Sequence, residues 1–123
     1  MQTHQTTFTI AARSRLGFVD VTDAVETAVA SCDVTDGRVT ILRPSAGCAL
    51  VLNEQEKGLH ADVQATLERL GSASGATPPT AGSPSLVLPV VGSRIRLGTW
   101  QRILLLELEE PRDRELQIQV VGE

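Results

Sequence analysis

The run Ile103-Leu104-Leu105-Leu106 constrains the fold of this 123-residue chain more than any other feature. The four apolar side chains follow one another without a break, so a strand built from them is apolar on both faces. Such a strand is stable only when both faces are covered. Either it lies at the centre of a two-layer sandwich, or one face packs against a neighbouring subunit.

Short alternating or apolar segments, separated by turn residues, make up much of the remaining sequence. The period-two spacing of Phe8 and Ile10 predicts a half-buried strand over 5–12. Further strands are predicted over 39–42, 48–52, 85–90, 94–97, 100–109 and 115–121. Because most connections between them are too short for a crossover helix, we expect a largely antiparallel sheet or sandwich of about seven strands.

Two segments carry apolar residues at helical spacing. The first helix is predicted over 23–32, where Asp23 and Glu26 have the spacing of a capping box. The second is predicted over 57–70, with apolar residues every three or four positions along one face. Together with the strands, these helices predict the α+β class.

Length and composition limit the domain organisation and the classes of function. A chain of this length forms one domain, 1–123, and we expect the segment 71–84, rich in Gly, Ser, Thr and Pro, to be a flexible loop within it. The net charge of -4 argues against a nucleic-acid partner. No stretch approaches the ~18 apolar residues of a membrane span, so we expect a cytoplasmic protein. Cys32 and Cys48 are predicted to be buried apolar residues rather than a disulfide or a metal site.

Trp100, the only tryptophan, lies in the sequence Gly98-Thr99-Trp100-Gln101. A large flat ring beside hydrogen-bonding groups can form one wall of a small-molecule pocket. The spacing alone favours the plainer interpretation, in which the ring fills a core.

The same four residues, preceded by the strand Ser85-Leu86-Val87-Leu88-Pro89-Val90, resemble the carboxy-terminal signature of the YjbQ-type family, also called the secondary thiamine-phosphate synthase family. Leu50-Val51-Leu52-Asn53-Glu54 resembles that family's strand ending in Asn-Glu. The match continues through the helix start at Val21-Thr22-Asp23 to the opening strand. The resemblance implies a compact domain that assembles as a homotrimer, with its pocket near subunit boundaries.

The resemblance also implies a reaction, the joining of a pyrimidine diphosphate to a thiazole phosphate. Such chemistry needs carboxylates for a divalent ion, donors for the phosphates and a flat wall for the ring. Under this hypothesis Glu54 and Asp62 would hold magnesium or act as base, while Arg94 and Arg96, predicted on one side of a strand, would bind phosphate. The other substrate-binding residues would be Asn53, Trp100 and Gln101.

These residues also have ordinary structural explanations. Asn53 and Glu54 have the positions of turn or cap residues at a strand end. Asp62 near a helix start complements the helix dipole without any ligand. Arg94 and Arg96 fit an exposed strand face.

The histidines of the family are absent. The family pattern places one histidine eight residues before Asn53, where this chain has Ser45, and two more in a segment that corresponds to the histidine-free 71–84. A hydroxyl cannot replace imidazole as acid, base or metal ligand near neutral pH. His60, close to Asp62, is the one candidate replacement. We therefore expect a divergent member with weak thiamine-phosphate synthase activity. The alternative is a non-catalytic homotrimer that binds a small phosphorylated or heterocyclic ligand or acts as a scaffold.

Overall fold

The computed structural model describes residues 1–43, 47–54, 57–74 and 83–123. The elements found in these ranges are β1 (Gln2–Ala11), β2 (Phe18–Asp20), α1 (Thr22–Ala30), β3 (Gly37–Leu42), β4 (Cys48–Glu54), α2 (Lys57–Ser74), β5 (Ser85–Val91), β6 (Arg94–Ile95), β7 (Gln101–Glu107) and β8 (Asp113–Gly122). All paired strands are antiparallel, which confirms the α+β class with one strand more than predicted.

The strands form two sheets. Sheet I has the order β1-β8-β3-β5-β6, and sheet II has the order β2-β7-β4. β8, the last strand along the chain, lies between β1 and β3 and pairs with both. The centre of sheet I is therefore built from strands that are far apart in sequence.

β7 is covered on both faces within the chain. Ile103 and Leu105 belong to the core cluster between the two sheets, where they join residues such as Ile118 of β8. Leu106 points the other way and belongs to a second cluster with Leu67 of α2. None of the four residues 103–106 is accessible to solvent. The molecule thus has three layers, sheet I, sheet II and α2, with β7 in the middle layer.

α1 packs its apolar face into the same core between the sheets, through Val25 and Val29. Its start differs from the sequence prediction. The residue before the helix is Val21, which cannot cap, and the Thr22 N–H donates instead to Asp20 Oδ1 at 2.9 Å. The predicted capping box of Asp23 and Glu26 is therefore wrong.

Other boundaries also differ from the predictions. β2 was not predicted, because three residues are too few for a periodic signal. α2 continues to Ser74, into the segment predicted as a loop, since Ser and Ala are tolerated in helices. Within that segment, 75–82 lies outside the described residues, and Ser83 forms a bridge with Leu50. β6 ends at Ile95, two residues before the predicted end of that strand. No helix in the described part of the chain is long and apolar enough to cross a membrane.

Candidate functional site

The Asn-Glu and Trp-Gln positions meet at one end of sheet II. The antiparallel register pairs Asn53 with Arg102 and Glu54 with Gln101. Consecutive strand residues point to opposite faces. Asn53 and Arg102 therefore share the face that carries α2, while Glu54 and Gln101 share the face towards sheet I. The last two residue pairs of β4 and β7 thus place four polar side chains at this end of sheet II.

Trp100 lies at this end, in the turn that leads into β7, and its side chain is 74% exposed. The interpretation of this ring as core filler is wrong. Gln101 closes the turn twice: its Oε1 accepts from the Gly98 N–H at 2.7 Å, and its own N–H donates to the Gly98 carbonyl at 3.1 Å. The Gln101 amide oxygen therefore holds the turn that presents the ring to solvent.

An ion pair that was not predicted from the sequence lies beside Asn53. Arg102 Nε donates to Asp20 Oδ2 at 2.7 Å, and Arg102 Nη2 lies 3.5 Å from Asp23 Oδ1. Burial acts to raise the pKa of Asp20, but the hydrogen bonds from Arg102 and Thr22 outweigh it and lower that pKa below its ordinary value. The hydrogen bond to Asp20 in turn raises the pKa of Arg102. Arg102 is a permanent cation with a fixed orientation.

His60 ties the start of α2 to the same end of sheet II. Its Nε2 lies 3.2 Å from the Glu54 carbonyl oxygen, and its ring stacks on Phe18 with 4.2 Å between centroids. The Asn53 side chain bonds locally, since its Oδ1 accepts from the Glu54 N–H at 2.8 Å. His60 is thus partly buried and held in place rather than a free surface residue.

Three predicted site residues lie elsewhere. Asp62 is on the exposed side of α2, beside a cavity of about 220 Å³, and sheet II separates it from the face that carries Glu54. Arg94 pairs with exposed Val91 on the outer face of sheet I, and Arg96 is exposed just beyond that strand. Among the described residues, no group of three or more His, Cys, Asp or Glu side chains is placed to hold a metal ion.

The turn before β4 lies far from this end. Ser45, the position that the resemblance assigns to a family histidine, is outside the described residues, but Gly47 accepts hydrogen bonds from Arg114 Nη2 at 3.2 Å and from the Leu108 N–H at 3.0 Å. Six residues of extended chain separate Gly47 from Asn53, or roughly 20 Å. The two motif positions therefore lie near opposite ends of β4.

A cavity of about 310 Å³ lies beside Asp20. Arg13, Ser14 and Phe18 contribute to its lining, together with Asp20 itself. Asp20 therefore contacts both this cavity and the Arg102 side chain.

Comparisons with known proteins agree with this fold. The family model described as UPF0047 protein YjbQ-like matches residues 6–123. A UPF0047 protein of Archaeoglobus fulgidus is 34% identical over 126 residues, which covers 92% of this chain and 98% of that protein. A UPF0047 protein of Mycobacterium tuberculosis is 32% identical over 115 residues and covers 82% of this chain and 85% of its own.

Solved structures give the same result. The crystal structure of a YjbQ-like protein of unknown function from Sulfolobus solfataricus superposes with a TM-score of 0.87 at 25% identity and covers 99% of both chains. A hypothetical protein from Aeropyrum pernix superposes with a TM-score of 0.84 at 29% identity and covers 98% of this chain and 99% of its own. The chain therefore belongs to the YjbQ-like UPF0047 family.

Proposed function

We propose that this protein binds a small heterocyclic or phosphorylated ligand at the end of sheet II, with little or no catalytic turnover. The observation that carries the proposal is the exposed Trp100 ring, held by its turn beside Asn53, Glu54 and Arg102. An accessible ring next to fixed donors and acceptors offers a stacking surface and polar contacts for a planar ligand.

Thiamine-phosphate synthase activity enters this proposal only as a weak residual activity. Glu54 is the single carboxylate of the predicted catalytic pair at this end, because Asp62 lies across the sheet. Ser45 stands where the family pattern has histidine. A carboxylate and an amide can bind a polar ring without any proton transfer, so this end suits recognition better than turnover.

We further propose that the protein is a cytoplasmic homotrimer whose subunits close the pocket between them. A large, exposed ring such as Trp100 is the residue type that interfaces and pockets commonly bury. Gly47 and Asn53 lie near opposite ends of β4. The turn before β4 in one subunit and the Asn53 end of β4 in its neighbour would therefore contribute to one pocket only across a subunit boundary. The free thiols of Cys32 and Cys48 suit a reducing compartment.

The test is a titration of the intact protein with the thiazole phosphate and, separately, with the pyrimidine diphosphate. Trp100 is the only tryptophan and the chain has no tyrosine, so its emission reports on this site alone. We expect saturable quenching, weakened by Glu54→Gln. Calorimetry on Trp100→Ala should show weaker binding, and Thr66→Ser on α2 serves as an unaffected control.

A turnover assay with both precursors and magnesium completes the test. Thiamine phosphate produced well above a no-protein control, and abolished by Glu54→Gln, would overturn the assignment as a binding protein in favour of the enzyme. If neither precursor binds saturably, the ligand site itself would be overturned.

A further inference from the structure

We propose that Arg102 and Asn53 recognise the phosphoryl group of the ligand, a role that the sequence had suggested for Arg94 and Arg96. The inference rests on the proposed function, because it assigns one part of the same ligand. Arg102 of β7 and Asn53 of β4 are register partners on neighbouring strands, and both lie on the side of sheet II that carries α2. Arg94 is on sheet I, and Arg96 lies just beyond β6.

Arg102 retains free donors although it is ion-paired. A guanidinium has five N–H groups. The Nε group is bonded to Asp20, and Nη2 is near Asp23, whereas Nη1 has no hydrogen-bond partner in the described part of the chain. The side chain is 38% exposed, so these N–H groups can be reached from solvent. Because Thr22 holds the other oxygen of Asp20, the guanidinium is presented in a fixed orientation.

Asn53 supplies a second donor group next to it. Its Oδ1 is occupied by the Glu54 N–H, and within residues 1–43, 47–54, 57–74 and 83–123 its side-chain NH₂ has no partner. Side chains directly opposite each other in an antiparallel pair have Cβ atoms roughly 4.5–5.5 Å apart. The proposed contact is one tetrahedral oxyanion that accepts from both Arg102 Nη1 and Asn53 Nδ2.

The neighbouring charges set the limits of this site. Asp20 is neutralised by its ion pair with Arg102, whereas Asp23 is 95% exposed and would repel an anion from the same side. Water and salt weaken that repulsion. The first turn of α2 contains no acidic residue, and the His60 contact places it at the same end, where the helix dipole favours an anion. Asp23 is thus the residue whose removal should improve binding.

The experiment measures the affinity of the intact protein for three compounds, by calorimetry and by Trp100 emission. These are the thiazole phosphate, the corresponding thiazole alcohol and inorganic phosphate. We expect Asn53→Ala and Arg102→Lys to weaken the thiazole phosphate about tenfold, as for the loss of a hydrogen bond to a charged group. The alcohol lacks the phosphoryl group and should therefore lose less affinity than the phosphate in these variants. Asp23→Asn should tighten the phosphate about two- to fivefold, the size of an exposed charge interaction. The Arg94→Gln, Arg96→Gln double variant is the matched control and should bind as the parent does.

The outcomes separate this inference from the proposed function. Two results would overturn the inference and leave the ring site intact. In the first, the alcohol binds saturably and as tightly as the thiazole phosphate. In the second, the phosphate binds more tightly than the alcohol, but this extra affinity is lost only in the Arg94, Arg96 double variant. Failure of both thiazole compounds to bind would overturn the ring site itself. Inorganic phosphate that binds with the same dependence on Arg102 and Asp23 would support a phosphate site that works without the ring. Asn53→Ala and Asp23→Asn keep the test decisive if Arg102→Lys does not fold.

Discussion

Two arginine–carboxylate pairs lie at opposite ends of β7, and their burial differs sharply. Arg102 and Asp20 are 38% and 15% exposed, whereas Arg114 and Glu107 are 2% and 0% exposed. An enclosed pair loses its hydration, so its oxygens and N–H groups need protein partners. Glu107 has them, because its Oε1 accepts from Arg114 Nε at 2.8 Å and its Oε2 accepts from the Glu109 N–H at 3.0 Å. The enclosed pair is therefore structural, and the open pair is the one a ligand can reach.

Glu107→Gln should lower the free energy of unfolding and should make that free energy less sensitive to acidic pH. Removing one partner of an enclosed ion pair costs about 3–5 kcal/mol. Burial acts to raise the pKa of Glu107, but hydrogen bonds from Arg114 and from the Glu109 N–H outweigh it and lower that pKa. Since the folded pKa lies below the unfolded value of about 4, the stabilisation is complete above that pH and is lost as the pH falls through the folded pKa.

Urea unfolding at a series of pH values measures this effect. The free energy of unfolding of the parent should decrease below a pH of about 4, and that of Glu107→Gln should decrease less steeply. Asp20→Asn provides the comparison for the open pair, with a smaller loss of stability at neutral pH. Identical acid dependence in the parent and in Glu107→Gln would contradict the assignment.

The emission of Trp100 should resemble that of free tryptophan in the folded, monomeric chain. The ring is 74% exposed, so water relaxes around its excited state before and after unfolding. The measurement is the emission maximum and the acrylamide quenching constant at low protein concentration, with the urea-unfolded chain as reference. A strongly blue-shifted, poorly quenched ring would show that it is buried in the chain's own core.

β7 shows what a sequence pattern can and cannot predict. Unbroken apolarity over Ile103–Leu106 correctly required cover on both faces, because burial is the property that the pattern encodes. The identity of the covering layers was not encoded locally. In the same way the Asp20–Arg102 pair joins residues 82 positions apart through the pairing of β2 with β7. The sequence motifs contain Asn53 and Trp100, but they do not encode the contact between Asp20 and Arg102, because strand register creates it.

Truncating either face of β7 should destabilise the fold by a similar amount. Leu105→Ala opens the core between the sheets, and Leu106→Ala opens the contact with α2, so each should cost about 2–5 kcal/mol. Val87→Ala on the outer face of sheet I, where the side chain is 59% exposed, should change stability by less than about 0.5 kcal/mol. Chemical denaturation of the three variants checks this. A small loss for Leu106→Ala would mean that α2 does not cover sheet II in solution.

The proposed homotrimer can be tested directly. Sedimentation equilibrium and native mass spectrometry should give three times the mass of the 123-residue chain. If the subunits close the pocket, the emission of Trp100 should shift to shorter wavelength as the trimer forms with increasing concentration. A monomer at all accessible concentrations would contradict the assembly, and a trimer without any spectral change would place its interface away from Trp100.

The position of β8 has a consequence for how the protein can be made in a cell. β8 pairs with β1 along residues 2–11 and with β3 along residues 37–42, and β1 has no other strand neighbour among the described residues. While a ribosome is still adding residues 113–122, the earlier strands of sheet I cannot reach their native order. The fold is therefore completed after translation has passed β8, and until then β1 lacks its native partner and exposes an edge that can mispair.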